Sequence, residues 1–191
     1  MPRHREFDTD QALEAAIRTF QDKGYQGTSV SDLLDALGIQ KGSLYKAWGS
    51  KRKLFLTALD RYFRQQQAGL KAALSESPKA ALHQVFEYTV SRCVLDEGRG
   101  CLAVNSCVEL AQLDEEIQRL SDEHVSVMVG AIAVAIQRGQ RDGEFRTDVP
   151  AEVLADSLYT SIVGLLARGR SLIPQERLLA IGRLAVESLE R

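Results

Sequence analysis

The sequence predicts an all-α chain of about nine helices, a three-helix head followed by a larger helical body. Three observations carry this. Apolar residues recur at i, i+3, i+4 and i+7 through most of the 191 residues, and no run alternates with the period of a strand. The breaks between periodic segments hold Gly, Pro, Ser and Asp, the residues that cap or stop helices. Charge is also uneven: residues 1–65 hold 11 Lys and Arg against 8 Asp and Glu, net +3, whereas residues 66–191 hold 13 against 18, net −5. A cationic head at 1–65 and an acidic body at 66–191 suggest two parts with different partners, joined inside a long helix without a linker.

The first helix is expected from about residue 9 to 23, with Leu13, Ala16, Ile17 and Phe20 on one face and Gly24 as its left-handed stop. Thr28 is expected to cap a short second helix carrying Val30, Leu33, Leu34 and Leu37, closed by Gly38. A brief helical piece follows from Gln40 to about Lys46. Ser50 then caps a long fourth helix with Leu54, Phe55, Ala58, Leu59 and Tyr62 inward, running to about Leu74. Ser77 and Pro78 form an N-cap and first-turn pair for the fifth, whose face holds Leu82, Val85, Phe86, Thr89, Val90 and Cys93. Residues 96–100, DEGRG, read as a loop. A sixth helix starts near Cys101 or Leu102, and after Leu113 and Asp114 a long seventh runs to about Arg141, with Leu113, Ile117, Leu120, His124, Val127, Ala131 and Ala135 near one stripe. After the break at 142–150, two last helices occupy about 150–170 and 174–190.

Several function classes are excluded or disfavoured. A net charge of −2 argues against a chain that coats nucleic acid over its whole surface, although it allows a local basic patch. No stretch approaches the roughly 18 apolar residues of a membrane span. The charged start MPRHREFDTDQ lacks the apolar core of a signal peptide, which predicts a cytoplasmic protein with reduced thiols. Cys93, Cys101 and Cys107 form no CxxC pair, and the three histidines show no ligand spacing, so neither a metal nor another cofactor is expected. An all-helical enzyme finds no support: there is no Gly-rich phosphate loop, no GxSxG and no carboxylate–His set.

Residues 28–48, TSVSDLLDALGIQKGSLYKAW, read as helix, Gly-containing turn, helix. That is the helix-turn-helix arrangement, whose second helix enters the major groove of DNA. Leu33, Leu34, Leu37, Ile39, Leu44 and Trp48 are placed to hold the pair against the first helix, and Gly38 permits the turn. Gln40, Lys41, Ser43 and Lys46 remain outward and suit base edges and phosphates, while Gly42 lets the backbone approach. Thr28 and Ser29, and again Ser50, Lys51 and Arg52, stand at helix starts that favour a phosphate. Two readings remain open on spacing: a DNA-binding head, or a solvated helical corner on a protein-interaction module without DNA binding.

The stretch GTSVSDLLDALGIQKGSLYKAWGSKRKLF resembles the N-terminal DNA-binding signature of TetR-family transcriptional regulators, and the Gly24-Tyr25 end of the first helix fits as well. The resemblance covers residues 8–65. The body agrees in helix count and in its GEFRTDVP connection. It implies Thr28, Tyr45 and Lys51 as phosphate contacts and Gln40, Lys41, Gly42 and Ser43 around the bases. It further implies a homodimer on an approximately palindromic operator of double-stranded DNA, and a body pocket for a small-molecule inducer that releases a repressor. Ala47 stands where many members carry an aromatic or His, and Trp48 replaces the commoner Phe and reads as core.

Within the body, Ser157, Ser161, Gly164 and Ala167 recur beside Leu154, Leu158, Ile162 and Leu165, a pattern for close helix packing. Spacing fits an intrachain contact as well as a dimer; the resemblance favours a two-fold four-helix interface. His124 on an apolar face reads as a core residue or a ligand contact, and Tyr88, Asn105 and Tyr159 are further pocket candidates. Cys101 follows Arg99-Gly100 and opens a helix, both of which lower a thiol pKa, whereas Asp96 and Glu97 oppose this. GCLAVNSCVEL resembles a NemR-like branch in which a cysteine at that position senses electrophiles or oxidants; the alternative is a small core residue. Cys107 lies about 9 Å further along the helix and on another face, too far for a disulfide.

Overall fold

The computed structural model describes residues 7–74, 77–95, 99–171 and 173–190. Among the described residues there are nine helices and no strand: α1 (Thr9–Lys23), α2 (Val30–Leu37), α3 (Lys41–Trp48), α4 (Lys51–Ala73), α5 (Pro78–Leu95), α6 (Leu102–Leu110), α7 (Glu115–Arg141), α8 (Ala151–Arg168) and α9 (Gln175–Glu187). The starts are dictated by side chains that satisfy the orphan N–H groups of a first turn. Asp8 accepts from the N–H groups of Asp10 and Gln11, Ser50 from Lys53, and Asp114 from Glu116 and Ile117. The cap of α2 is Ser29, not Thr28. Ser29 Oγ accepts from the Asp32 N–H, and Asp32 accepts in return from the Ser29 N–H. Thr28 is turned inward, 1% exposed, with its hydroxyl donating to the Gly24 carbonyl. Gly38 stops α2 in the left-handed region, φ 65° and ψ 31°.

Two apolar cores form. The head core joins Phe20, Leu33, Leu44, Leu54, Phe55 and Leu59 from α1–α4, and it continues into Leu102, Leu110 and Ile117 of α6 and α7. The body core holds Leu82, Phe86, Val90, Ile132, Ile136, Phe145 and Leu158. The long α4 serves both, contributing Leu54 and Phe55 to the first and Leu70 to the second. The buried stripe of α7 is rotated from the expected one. It keeps Ile117, His124 and Ala135 but adds Ser121, Met128 and Ile132, because α7 packs on α4 and α8 together. Leu113 and Val127 lie on the exposed side, 73% and 51% accessible. On α8, Leu154, Leu158, Ile162 and Leu165 face inward and Ser157 and Gly164 outward, with Ser161 half-buried. A Cβ at Gly164 would meet nothing within 4 Å, so this face makes no close intrachain contact there. No helix of the described residues is long and apolar enough to cross a membrane.

Candidate nucleic-acid interface and body cavity

The outer face of the helix-turn-helix is assembled by anchoring one residue and leaving its neighbours free. Leu44 is fully buried, with Leu34, Leu37, Ile39 and Trp48 packed partly beneath the same face. This turns Gln40, Lys41, Gly42, Tyr45 and Lys46 outward as exposed residues, and leaves Ser43 half-buried. Gln40 makes no side-chain cap, and a Cβ at Gly42 would find open space. The start of α3 therefore leaves uncapped N–H groups and two lysines on the exposed face, the chemistry that suits phosphates and base edges. At the start of α2, Ser29 is exposed while the Thr28 side chain is not, because both its N–H and its hydroxyl are already donated within the turn. The Asp32 carboxyl is held well below the usual range by Lys23 and then by Ser29, so the capping box stays charged at neutral pH. Lys51 is half-buried with Nζ 4.3 Å from the Tyr25 ring centroid. Burial pushes its pKa down, against the pull of Glu109 and Asp32. Arg52 is not a free cation at a helix start: it forks onto Asp114 at 3.0–3.1 Å and reaches Glu116 at 2.7 Å.

These Arg52 pairs belong to a seam between head and body. Glu109 at the end of α6 accepts from the N–H groups of Tyr25 (3.0 Å) and Gln26 (2.7 Å) in the turn before α2. Gly24 is required there, since a Cβ on it would sit 2.7 Å from Glu109 Oε2, and its φ is +71°. Gln21 donates to the Gly100 carbonyl at 3.0 Å, and Arg99 pairs with Asp22 at 2.9 Å. Arg99 is thus spent on the head and is not the partner expected for Cys101.

Behind the seam lies a cavity of about 180 Å³ between α4, α5, α6, α7 and α8. Its wall is mostly apolar, and Tyr88, His124 and Tyr159 line it as the sequence suggested; Asn105 does not, although its amide nitrogen is buried without a partner. All three cysteines reach the cavity, including Cys93, which is half-buried and not core, and Cys107, which was expected on another face. Cys101 is buried, and desolvation raises its pKa despite a hydrogen bond from Tyr62 Oη at 3.5 Å. Burial therefore outweighs the acidifying influences weighed for this thiol, as the core-residue alternative implies. Asp96 and Glu97, invoked in that balance, lie outside the described residues. His124 stacks on Phe63 with centroids 4.2 Å apart and planes at 7°, and burial pushes its pKa down to about 4. Burial pushes Tyr159 up to about 12. No group of His, Cys, Asp and Glu among the described residues is arranged to hold a metal.

Residues 12–58 match the family described as bacterial regulatory proteins, tetR family, and residues 78–179 match the tetracyclin repressor-like C-terminal domain. The chain belongs to the TetR family. Among its relatives, the uncharacterized HTH-type transcriptional regulator YezE of Bacillus subtilis is 34% identical over 79% of this chain and 81% of its own length. The HTH-type transcriptional repressor ComR of Escherichia coli is 28% identical over 94% and 87%. The TetR-family regulator CifR, solved as a cysteine mutant complexed with 26-bp double-strand operator DNA, superposes with a TM-score of 0.84 at 31% identity, over 98% of this chain and 99% of that one. Reduced E. coli NemR shares the fold, with a TM-score of 0.80 at 20% identity over 95% and 96%. This TetR-family chain is a DNA-binding transcriptional regulator and not an enzyme, and the interaction-module alternative falls away.

Sequence reasoning missed Ser121, a cavity-lining residue whose buried hydroxyl has no partner, because a serine in a helical stripe reads as solvated. It also missed Glu109 and Asp114, whose partners lie 84 and 62 residues away. The Ser29–Asp32 spacing was a local signal for the α2 cap that outranks Thr28.

Proposed function

We propose that the chain is a homodimeric repressor that holds an approximately palindromic operator and releases it when a small molecule enters the body cavity. The observation that carries this is the double engagement of α6. Ala103, Val104 and Cys107 line the cavity, and Glu109 in the same helix holds the Tyr25 and Gln26 N–H groups of the head. A ligand that shifts α6 therefore shifts the base of the helix-turn-helix. In this reading residues 1–65 bind DNA and residues 66–191 bind ligand and dimerise. Gln40, Lys41, Gly42 and Ser43 face bases, with Ser29, Tyr45, Lys46 and Lys51 toward phosphates. The small outward face of α8, Ser157, Ser161 and Gly164, packs against its copy, aided by Leu184 of α9, which is 67% exposed. Repression is the sign carried by the name of ComR. A reversible ligand is favoured over thiol chemistry, because the buried Cys101 thiol has a raised pKa and the thiolate is the reactive form. Selection of sites from a random DNA pool by the full chain tests the core of the proposal. Two related half-sites about a dyad are expected, and a consensus without dyad symmetry would refute the dimeric operator.

A further inference from the structure

We infer that the body cavity is built for a neutral, ring-sized organic molecule carrying one carbonyl oxygen, which accepts hydrogen bonds from Ser121 and His124. The inference rests on the proposed reading of this cavity as the inducer site, and narrows it to a ligand class. Size sets the first limit. A volume of about 180 Å³ is close to that of an apolar cavity that takes up benzene, so the space holds one ring and a small substituent.

Polarity sets the second. The wall includes Phe63, Leu70, Val85, Met128 and Ile162, and no Asp or Glu is part of it; Arg92 is the one charged side chain in the described lining. A carboxylate drawn into such a wall loses hydration that only a paired cation restores, so an anion bound to Arg92 is the competing ligand.

The third limit comes from two donors one turn apart on α7. Ser121 lines the cavity and is 5% exposed, and its buried Oγ has no hydrogen-bond partner. Native interiors leave few such groups unsatisfied, which marks this hydroxyl as meant for something that enters. His124 is held flat by Phe63, and the Gln67 amide lies 3.4 Å from its Nδ1. An amide N–H donating to Nδ1 leaves the ring proton on Nε2, and burial keeps the ring neutral. Two lining residues one turn apart then each carry one donor, and a single carbonyl oxygen has the two lone pairs to accept both. A plain hydrocarbon would fill the volume and leave the hydroxyl unpaired.

The test uses acetophenone, toluene and benzoate as probes, titrated calorimetrically into the full chain and its Ser121→Ala variant. Acetophenone is a simple ketone that does not alkylate thiols, so cysteine chemistry stays out of the result. Acetophenone should bind better than toluene or benzoate, and Ser121→Ala should weaken it about fivefold, the worth of one neutral hydrogen bond, with toluene unchanged. Equal acetophenone binding by both proteins, tighter benzoate binding, or no binding of any probe by protein that still holds its selected operator would overturn the ligand assignment. Acetophenone binding with the Ser121 dependence but without operator release would leave the assignment standing and refute the induction reading instead.

Discussion

Glu109→Ala should unlatch the head from α6. The carboxylate accepts two backbone N–H groups, Tyr25 at 3.0 Å and Gln26 at 2.7 Å. Hydrogen bonds to a charged group are worth about 1.5–3 kcal/mol each. The Gln26 residue is exposed and its N–H finds water once the carboxylate is gone, whereas the Tyr25 site is half-buried. The net loss is therefore nearer one such bond than two, about 2 kcal/mol. Trp48 is the only tryptophan, sits in the head beside Phe7 at 5.8 Å, and reports head unfolding by fluorescence. With a urea slope of about 2 kcal/mol per molar, the Trp48 midpoint should fall by about 1 M at fixed protein concentration. Glu109→Gln, which keeps one acceptor oxygen, should fall by less. The same bonds orient the base of the recognition unit, so operator affinity should drop although no DNA-facing residue has changed. A Glu109→Ala midpoint within about 0.2 M of the parent, with unchanged operator affinity, would refute α6 as the latch.

Stability should depend on pH through His124. Its pKa is about 4 folded against 6.5 for the free group, so between these values the unfolded chain binds a proton that the folded chain does not. The stabilisation is complete above the unfolded value and is lost as pH falls toward the folded one, by up to about 3 kcal/mol; urea melts across that range should show the slope in the parent and lose it in His124→Gln. Gly164→Glu places a carboxylate on the outward face of α8 without filling occupied space, and sedimentation should find monomers with little operator affinity; an intact dimer would move the interface elsewhere. Lys41→Ala or Gln40→Ala should change the selected consensus at a cost of about 1–3 kcal/mol if the contact is bidentate. Lys51→Ala should weaken binding to all sequences alike, and an unchanged consensus in the first pair or a single lost variant in the second would reassign these side chains.

The helices were legible in the sequence because their signals are local. Leu13, Ala16, Ile17 and Phe20 are all buried on α1, and α4 runs from the Ser50 cap to Ala73 through the expected face. The outward set on α3 was equally legible, since Leu44 fixes which residues can face inward. What failed depended on distant partners. Arg52 at a helix start suggests a phosphate site until Asp114 claims it from 62 residues away. Arg99 beside Cys101 suggests an acidified thiol, yet Arg99 turns to Asp22 and burial dominates the thiol. Ser121 is polar by composition, and only the packing of α7 on α4 and α8 buries it.

The head core and the seam charges divide the work of communication in a way that bears on how far a ligand must push. Leu102 and Leu110 pack into the head core, so α6 cannot move without disturbing the residues that support the helix-turn-helix. Were that apolar contact the whole junction, shifting it would mean exposing several buried side chains, at about 1.5–3 kcal/mol apiece. The ion pairs at the junction are instead half-exposed, Arg52 with Asp114 and Glu116 and Arg99 with Asp22, beside the Glu109 bonds to two backbone N–H groups worth about 2 kcal/mol. Exposed ion pairs are worth about 0–1 kcal/mol each, and coupling between sites typically amounts to about 1–3 kcal/mol. In the proposed reading, the apolar part of this junction transmits a movement of α6 to the head, and its polar part is what an inducer would have to shift.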